Sequence, residues 1–149
     1  VVMAAQFIDR KGHDLLLAAI PRVLERHPSA RFLLFGKGPL RESIDTRVGE
    51  MGLEGAVHLP GFRSDLHRIR AGLDLVTRHG CPAGVGDGET GFLVDPTDSA
   101  ALGGAISALL GDPGLRARMG EAGRARVSEL FSVDRMVDEH VALYRELLA

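Results

Sequence analysis

Short apolar runs alternate with amphipathic stretches through the first half of this chain, and that alternation restricts its fold more than any other feature. Residues 1–5 (VVMAA), 31–35, 56–59 and 73–76 are short and apolar and read as buried strands. Between the first two, Leu16, Ala19, Ile20, Val23 and Leu24 share one helical face. Pro21 is expected to kink that helix, because proline removes a backbone donor. Between the second and third, Leu40, Ile44, Val48 and Met51 recur at helical spacing, and Gly52 stands where a C-cap glycine belongs. Pro60-Gly61 is expected to break the third strand, and Ser64 to cap a short helix through Ala71. Strands alternating with helices imply parallel βαβ units.

The second half reads differently. Residues 77–91 hold Gly80, Gly84, Gly86, Gly88, Gly91 and Pro82, so no helix is expected there. Residues 92–94 read as one more strand. Thr97 or Asp98 then caps a helix bearing Leu102, Ile106, Leu109 and Leu110. Asp112-Pro113 pairs an N-cap with a first-turn proline and opens another. Ser132 caps the last, where Val133, Met136, Val137, His140, Val141, Tyr144 and Leu148 share a face; His140 reads there as a packing residue.

A length of 149 residues suits one domain with one core. Basic and acidic residues are mixed and the formal net charge is −2, so no nucleic-acid footprint is evident. No apolar run approaches the roughly 18 residues of a membrane span, and the opening residues lack a signal-peptide pattern. Cys81 is the only cysteine, which excludes an internal disulfide and suits a reducing, cytoplasmic setting. The chain opens at Val1 inside an apolar run, as expected of a piece cut from a longer chain.

Three turns are candidates for ligand binding. The first is Asp9-Arg10-Lys11-Gly12-His13, between the first strand and the first helix. Ligands of open α/β sheets bind where strand carboxyl ends meet helix N-termini, and free N–H groups there favour anions. Lys11 adds a full charge and Gly12 allows close backbone approach; the competing reading is a solvated basic loop. The second is Gly36-Lys37-Gly38-Pro39, where two glycines let a ligand lie against the backbone, although taken alone the segment reads first as a tight strand-to-helix turn. The third, Gly86-Asp87-Gly88-Glu89-Thr90-Gly91, matches GxGxxG but leads into an expected strand rather than a helix, so a dinucleotide site is rejected. His79 and Cys81 lack a second ligand pair, and no metal site is expected. His13 is the one histidine retained as a possible ligand contact. No residue reads as catalytic.

Five segments, in order, resemble a known family. Residues 6–16, from Gln6 to Lys11-Gly12 and Leu16, are similar to its "GR-x-x-x-x-KG-x-x-x-L" opening. Gly36-Lys37-Gly38-Pro39 resembles its "GxGP" turn, and residues 53–62 its "L-x-x-x-V-x-x-x-G-x" segment. Residues 88–94 resemble "DG-x-TG-x-LV", and Leu109 to Pro113 with Phe131-Ser132 its last helices. The family is the large retaining GT-B glycosyltransferase family (group 1, family 4), and the resemblance is to its C-terminal domain. It implies an α/β, Rossmann-like three-layer domain with a mostly parallel sheet and C-terminal helices. It also implies a nucleotide-diphosphate sugar as substrate, no cofactor, and an acceptor-binding N-terminal domain as partner. By the resemblance, Lys11 contacts the donor diphosphate, with Gln6, Arg10 and Gly12 beside it. Gly36, Gly38 and Gly61 border the nucleoside.

The chain departs from the family pattern in three respects. Gln6 stands where the family has arginine. Val76 is followed directly by Thr77-Arg78-His79-Gly80, so a βα unit carrying two donor-binding glutamates is missing between 76 and 77; a crossover needs about 10 residues. The N-terminal domain is absent from residues 1–149. The expected function is therefore a donor-binding domain with no transfer activity of its own. The alternative is a non-catalytic interaction module or degenerate fragment that self-associates, since a lost βα unit exposes strand edges.

Overall fold

In a computed structural model, residues 1–65, 76–77, 85–130 and 132–148 are described. Four strands form one sheet in the order β3-β2-β1-β4. They are β1 (Val2–Ala4), β2 (Phe32–Phe35), β3 (Val57–Gly61) and β4 (Val76–Thr77). Every described pairing is parallel: Met3 faces Leu34 and Thr77, and Phe32 faces Val57. The expected parallel α/β sheet is thus observed. Parallel neighbours need a crossover between them, and α1 (His13–Arg26) and α2 (Arg41–Glu50) supply it for the first three strands.

One face of the sheet builds the core. Met3, Phe32, Leu34 and Val57 lie there with Leu16, Leu17, Ile20 and Val23 of α1, Ile44 and Val48 of α2, and Ile106. Ile106 belongs to α3 (Ser99–Gly111), which packs along α1. The alternate positions Val2 and Phe35 are buried as well. Burial on both faces is the condition under which all-parallel sheets are found.

The chain forms two compact units: residues 1–81 with 94–116, which hold the sheet and this core, and residues 82–93 with 117–149. Helix α4 (Pro113–Leu130) begins in the first unit and ends in the second. Helix α5 (Val133–Leu147) lies wholly in the second, where Met119 of α4 is the one buried residue among those described.

Several local expectations are met by the chemistry that motivated them. Asp98 caps α3 by accepting from the Ala101 amide at 2.8 Å. Asp112 accepts from the Leu115 amide at 2.9 Å ahead of Pro113, and Ser132 accepts from Arg135 at the start of α5. Gly52 follows α2 with φ 66°. Helix α1 continues through Pro21, which sits exposed inside it.

Other expectations are corrected. Pro60-Gly61 does not break β3, which runs through both. A register shift between Leu33 and Phe35 lets Gly61 pair with Phe35. Residues 92–94 form no strand, and the segment contributes only an isolated bridge between Asp87 and Gly91. The turn before them closes on itself, with the Thr90 hydroxyl accepting from the Gly86 amide at 2.8 Å, so its polar groups leave no ladder to extend. Thr77, expected in the glycine-rich loop, lies with Val76 in β4. His140 is exposed, 2.7 Å from the Met136 carbonyl oxygen through Nδ1, and packs in no core. The helix expected from Ser64 to Ala71 and the pair His79 and Cys81 fall, in whole or in part, outside the described residues.

Candidate functional site

Because β1, β2 and β3 are parallel, the loops that follow them emerge at one edge of the sheet. Open α/β sheets bind ligands along that edge. The three loops are tied together by their own backbones. The Phe7 amide donates to Lys37 at 3.1 Å and the Leu40 amide to Phe7 at 3.1 Å, joining the first loop to the second. The Gly36 amide donates to Gly61 at 3.1 Å, joining the second to the third. Of the seven residues singled out from the sequence, Gln6, Gly36, Gly38 and Gly61 lie at or next to a tie, Arg10 and Lys11 lie in the turn before α1, and Gly12 caps that helix.

The first loop ends in a single 3-10 turn (Asp9–Lys11), which Gly12 closes with φ 72°. That conformation is costly for a side-chain-bearing residue, so glycine here is dictated by the turn into α1. Gly12 is also the N-cap of α1 and offers no side-chain acceptor. Helix α2, capped by Leu40, has none either. The start of a helix carries a partial positive charge and suits an anion. Lys11 is half-buried beside this turn, while Arg10 and Gln6 are exposed. Among the described residues neither Lys11 nor Arg10 takes part in an ion pair. Asp14, in the first turn of α1, is held by Arg47 at 2.8 Å, which offsets its charge near the helix start.

Gly36 and Gly38 have a structural cause. A Cβ on Gly36 would overlap the carbonyl oxygen of Ala5, and one on Gly38 would collide with that of Phe7. The space that spacing alone reserves for a ligand is, on that side, filled by the first loop. His13, retained as a possible contact, is buried and stands edge-on to Phe7, with ring centroids 5.1 Å apart. It wedges the start of α1 against the first loop.

Two contacts at this edge were not anticipated. The Lys37 ammonium lies 5.3 Å from the centroid of the Phe62 ring, and Phe62 is 63% exposed. The Arg41 guanidinium donates to the Leu59 carbonyl at 2.9 Å, fastening the end of β3 to the start of α2. Neither pairing has a sequence signal: the partners are 25 and 18 residues apart and meet only because β2 and β3 are neighbours. Arg63, next along, is taken up by Asp65 through bonds of 2.9 and 2.8 Å. That hydrogen bonding, and then the carboxylate's charge, raise its pKa above the usual arginine value.

The sequence profile of the glycosyl transferases group 1 family matches residues 1–78, more than half the chain and the whole of this loop edge. The chain belongs to the group 1 glycosyltransferases. It is 30% identical to a GDP-mannose-dependent α-(1-6)-phosphatidylinositol monomannoside mannosyltransferase of Mycolicibacterium smegmatis, over 83% of this chain and 42% of that protein. The glycosyltransferase chain carries the fold of that family's C-terminal domain. It superposes on the C-terminal domain of a group 1 family protein from Francisella tularensis with a TM-score of 0.75 and 19% identity, covering 89% of this chain and 86% of that one. It also matches Anabaena Alr3699/HepE, solved in complex with UDP, with a TM-score of 0.84 and 20% identity over 97% of this chain and 48% of that one. The chain spans 42–48% of the length of the first curated relatives it matches. No described helix is long and apolar enough to cross a membrane.

Proposed function

We propose that this domain binds the nucleotide-diphosphate-sugar donor of a retaining glycosyl transfer. The observation that carries the proposal is the convergence at one sheet edge of a helix start at Gly12 without a side-chain cap, Lys11 and Arg10, which form no ion pair among the described residues, and the tied loops at Gly36 and Gly61. Lys11 and the first-turn N–H groups of α1 take the diphosphate, with Arg10 and Gln6 beside them. Gly36, Gly38 and Gly61 border the nucleoside. The same donor chemistry is named for the Mycolicibacterium relative, and UDP for the Anabaena protein.

Transfer needs a second half that positions the acceptor and excludes water. We assign that role to the N-terminal domain of the family and expect residues 1–149 alone to show no transfer. No cofactor or metal enters this reading, and a cytoplasmic setting accords with the single cysteine. The missing βα unit between 76 and 77 is part of the proposal. It is supported by the alignment to the Mycolicibacterium relative, which runs over 159 residues while taking in 83% of a 149-residue chain. Without the arginine at Gln6 and a ribose-binding glutamate, affinity falls on the order of a hundredfold or more, at about 1.5–3 kcal/mol for each charge-assisted bond.

Titration with UDP, GDP and ADP, followed by backbone amide shifts, tests the reading. Shifts should centre on Lys11 to Leu15 and on Gly36 to Gly38, and Lys11→Ala should weaken all three nucleotides about tenfold or more. A response confined to another part of the chain rejects it. A second reading, a module that pairs with itself, is favoured by the exposed apolar stripe of α5. A stable dimer in sedimentation with no nucleotide response would support that instead.

A further inference from the structure

Strand β3 stands at the end of the described sheet order, with β2 on one side of it. The other side of such a strand is a ready template for a strand of another molecule. The pairing with β2 fixes which groups face that side. Ala56 accepts from the Phe32 amide, so its carbonyl is turned toward β2. Backbone groups alternate in direction along a strand, so those of Val57 and Leu59 are turned away. Both residues are engaged there by their own chain. The Val57 amide donates to the Leu53 carbonyl at 2.8 Å. The Leu59 carbonyl accepts from the Arg41 guanidinium at 2.9 Å. Immediately beyond, Pro60 and the register shift interrupt the regular run.

The two engagements differ in what they depend on. The first is a local backbone bond, which a wide range of side chains would allow. The second depends on one side chain, brought from 18 residues away. Arg41 opens α2, the helix that carries the chain from β2 to β3, so the same crossover that lays down β3 delivers the guanidinium to its outer side. His58 and Pro60, on either side of Leu59, are exposed, and so is Arg41, so solvent reaches this edge. We propose that Arg41 guards it: seated on the Leu59 carbonyl, the guanidinium keeps β3 from pairing with β3 of a second copy of this chain. Pairing at Leu59 displaces that bond and brings two guanidinium charges to one narrow seam, where like charges repel. The assignment does not depend on the donor-site reading, and it is distinct from any pairing through α5.

The test is sedimentation equilibrium of the 149-residue chain over a range of concentrations, with amide hydrogen exchange at Leu59 followed in the same samples. It compares the wild type with Arg41→Gln and Arg41→Ala. Position 41 is exposed and both replacements are good helix formers, so the fold is kept, which circular dichroism verifies. Exchange at Leu59 should not vary with concentration in the wild type. In both variants the average mass should rise toward about twice that of the wild type as concentration increases, as a two-fold pair requires. Over the same range the Leu59 amide should slow by about tenfold or more, because it becomes a ladder donor. Adding Val137→Asp on α5 should leave this association unchanged. If both variants keep the wild-type mass and exchange, β3 needs no guard and the assignment is wrong. If they associate without slowing at Leu59, or if Val137→Asp abolishes the association, another surface pairs and the assignment is equally wrong. A wild-type Leu59 amide that already slows with concentration overturns it as well.

Discussion

Helix α1 sets Leu16, Leu17, Ala19, Ile20 and Val23 into the core, whereas α5, with an apolar stripe at comparable spacing, buries no residue at all. Along α5, Val133 is 69% exposed, Tyr144 61% and Leu147 72%. On sequence pattern alone both helices read as one-sided surfaces that need a partner. The difference lies in what the rest of the chain supplies. Helix α1 sits between two strands that pair with each other, so the βαβ crossover returns its apolar face to the sheet. Helix α5 follows β4, the last described strand, and among the described residues it lies in no βαβ crossover. Amphipathicity states that a face is to be covered; connectivity states by what.

The sharpest way to break that comparison is to truncate one side chain on each helix. Ile20→Ala should cost about 2–5 kcal/mol in urea unfolding, the usual range for emptying a buried aliphatic site. Val137→Ala, on a residue half-exposed in α5, should cost less than about 0.5 kcal/mol. A comparable loss at Val137 would mean that the stripe is covered in solution.

Glycines sharpen the same contrast between positions that the fold constrains and positions it leaves open. Gly36→Ala should destabilise by about 1–3 kcal/mol, because the new methyl group meets the Ala5 backbone, which has no soft side chain to move. Gly104→Ala, on the exposed side of α3 with nothing near the new methyl group, should stabilise by about 0.5–1 kcal/mol. Thermal unfolding of the two variants should therefore move the midpoint in opposite directions.

The smallest effect is electrostatic. Asp95 accepts from the Thr97 hydroxyl at 2.5 Å and from the Thr97 amide at 2.7 Å, and these bonds lower its pKa below the ordinary aspartate range. Its contribution to stability is present above the unfolded-state pKa and is lost as pH falls through the lower folded value. Thr97→Val removes the hydroxyl bond but keeps the amide bond, so the Asp95 carboxyl should move up toward the normal range without fully reaching it in an NMR titration. Since Asp95 is fully exposed, the stability curve above pH 5 should barely move.

Much of the sheet unit was legible because its signals are local. Apolar runs of strand length, caps at Asp98, Asp112 and Ser132, and the glycine after α2 each depend on residues within a few positions of one another. The misreadings share a cause. Pro60-Gly61 reads as a break, but an edge strand tolerates proline and a register shift accommodates the glycine. Residues 92–94 have strand composition, yet a strand exists only where another accepts its hydrogen bonds. His140 falls on an apolar stripe that turns out to be the surface. At the loop edge, Lys11 and Gly12 were legible from their place between a strand and a helix. The pair Lys37 and Phe62, and the Arg41 tie to Leu59, were not.

What residue order determined by itself was the set of local conformations: which segments extend, which coil into helices, where helices begin, and that the turn before α1 needs a glycine. These follow from side-chain periodicity and backbone sterics over a few residues. Only the tertiary structure decided that three loops share one edge, that the first loop fills the space over Gly36 and Gly38, that a lysine stands over a phenyl ring, and that α5 keeps its stripe in water. Each of those depends on contacts between distant residues, whose geometry comes from strand order and not from any local pattern.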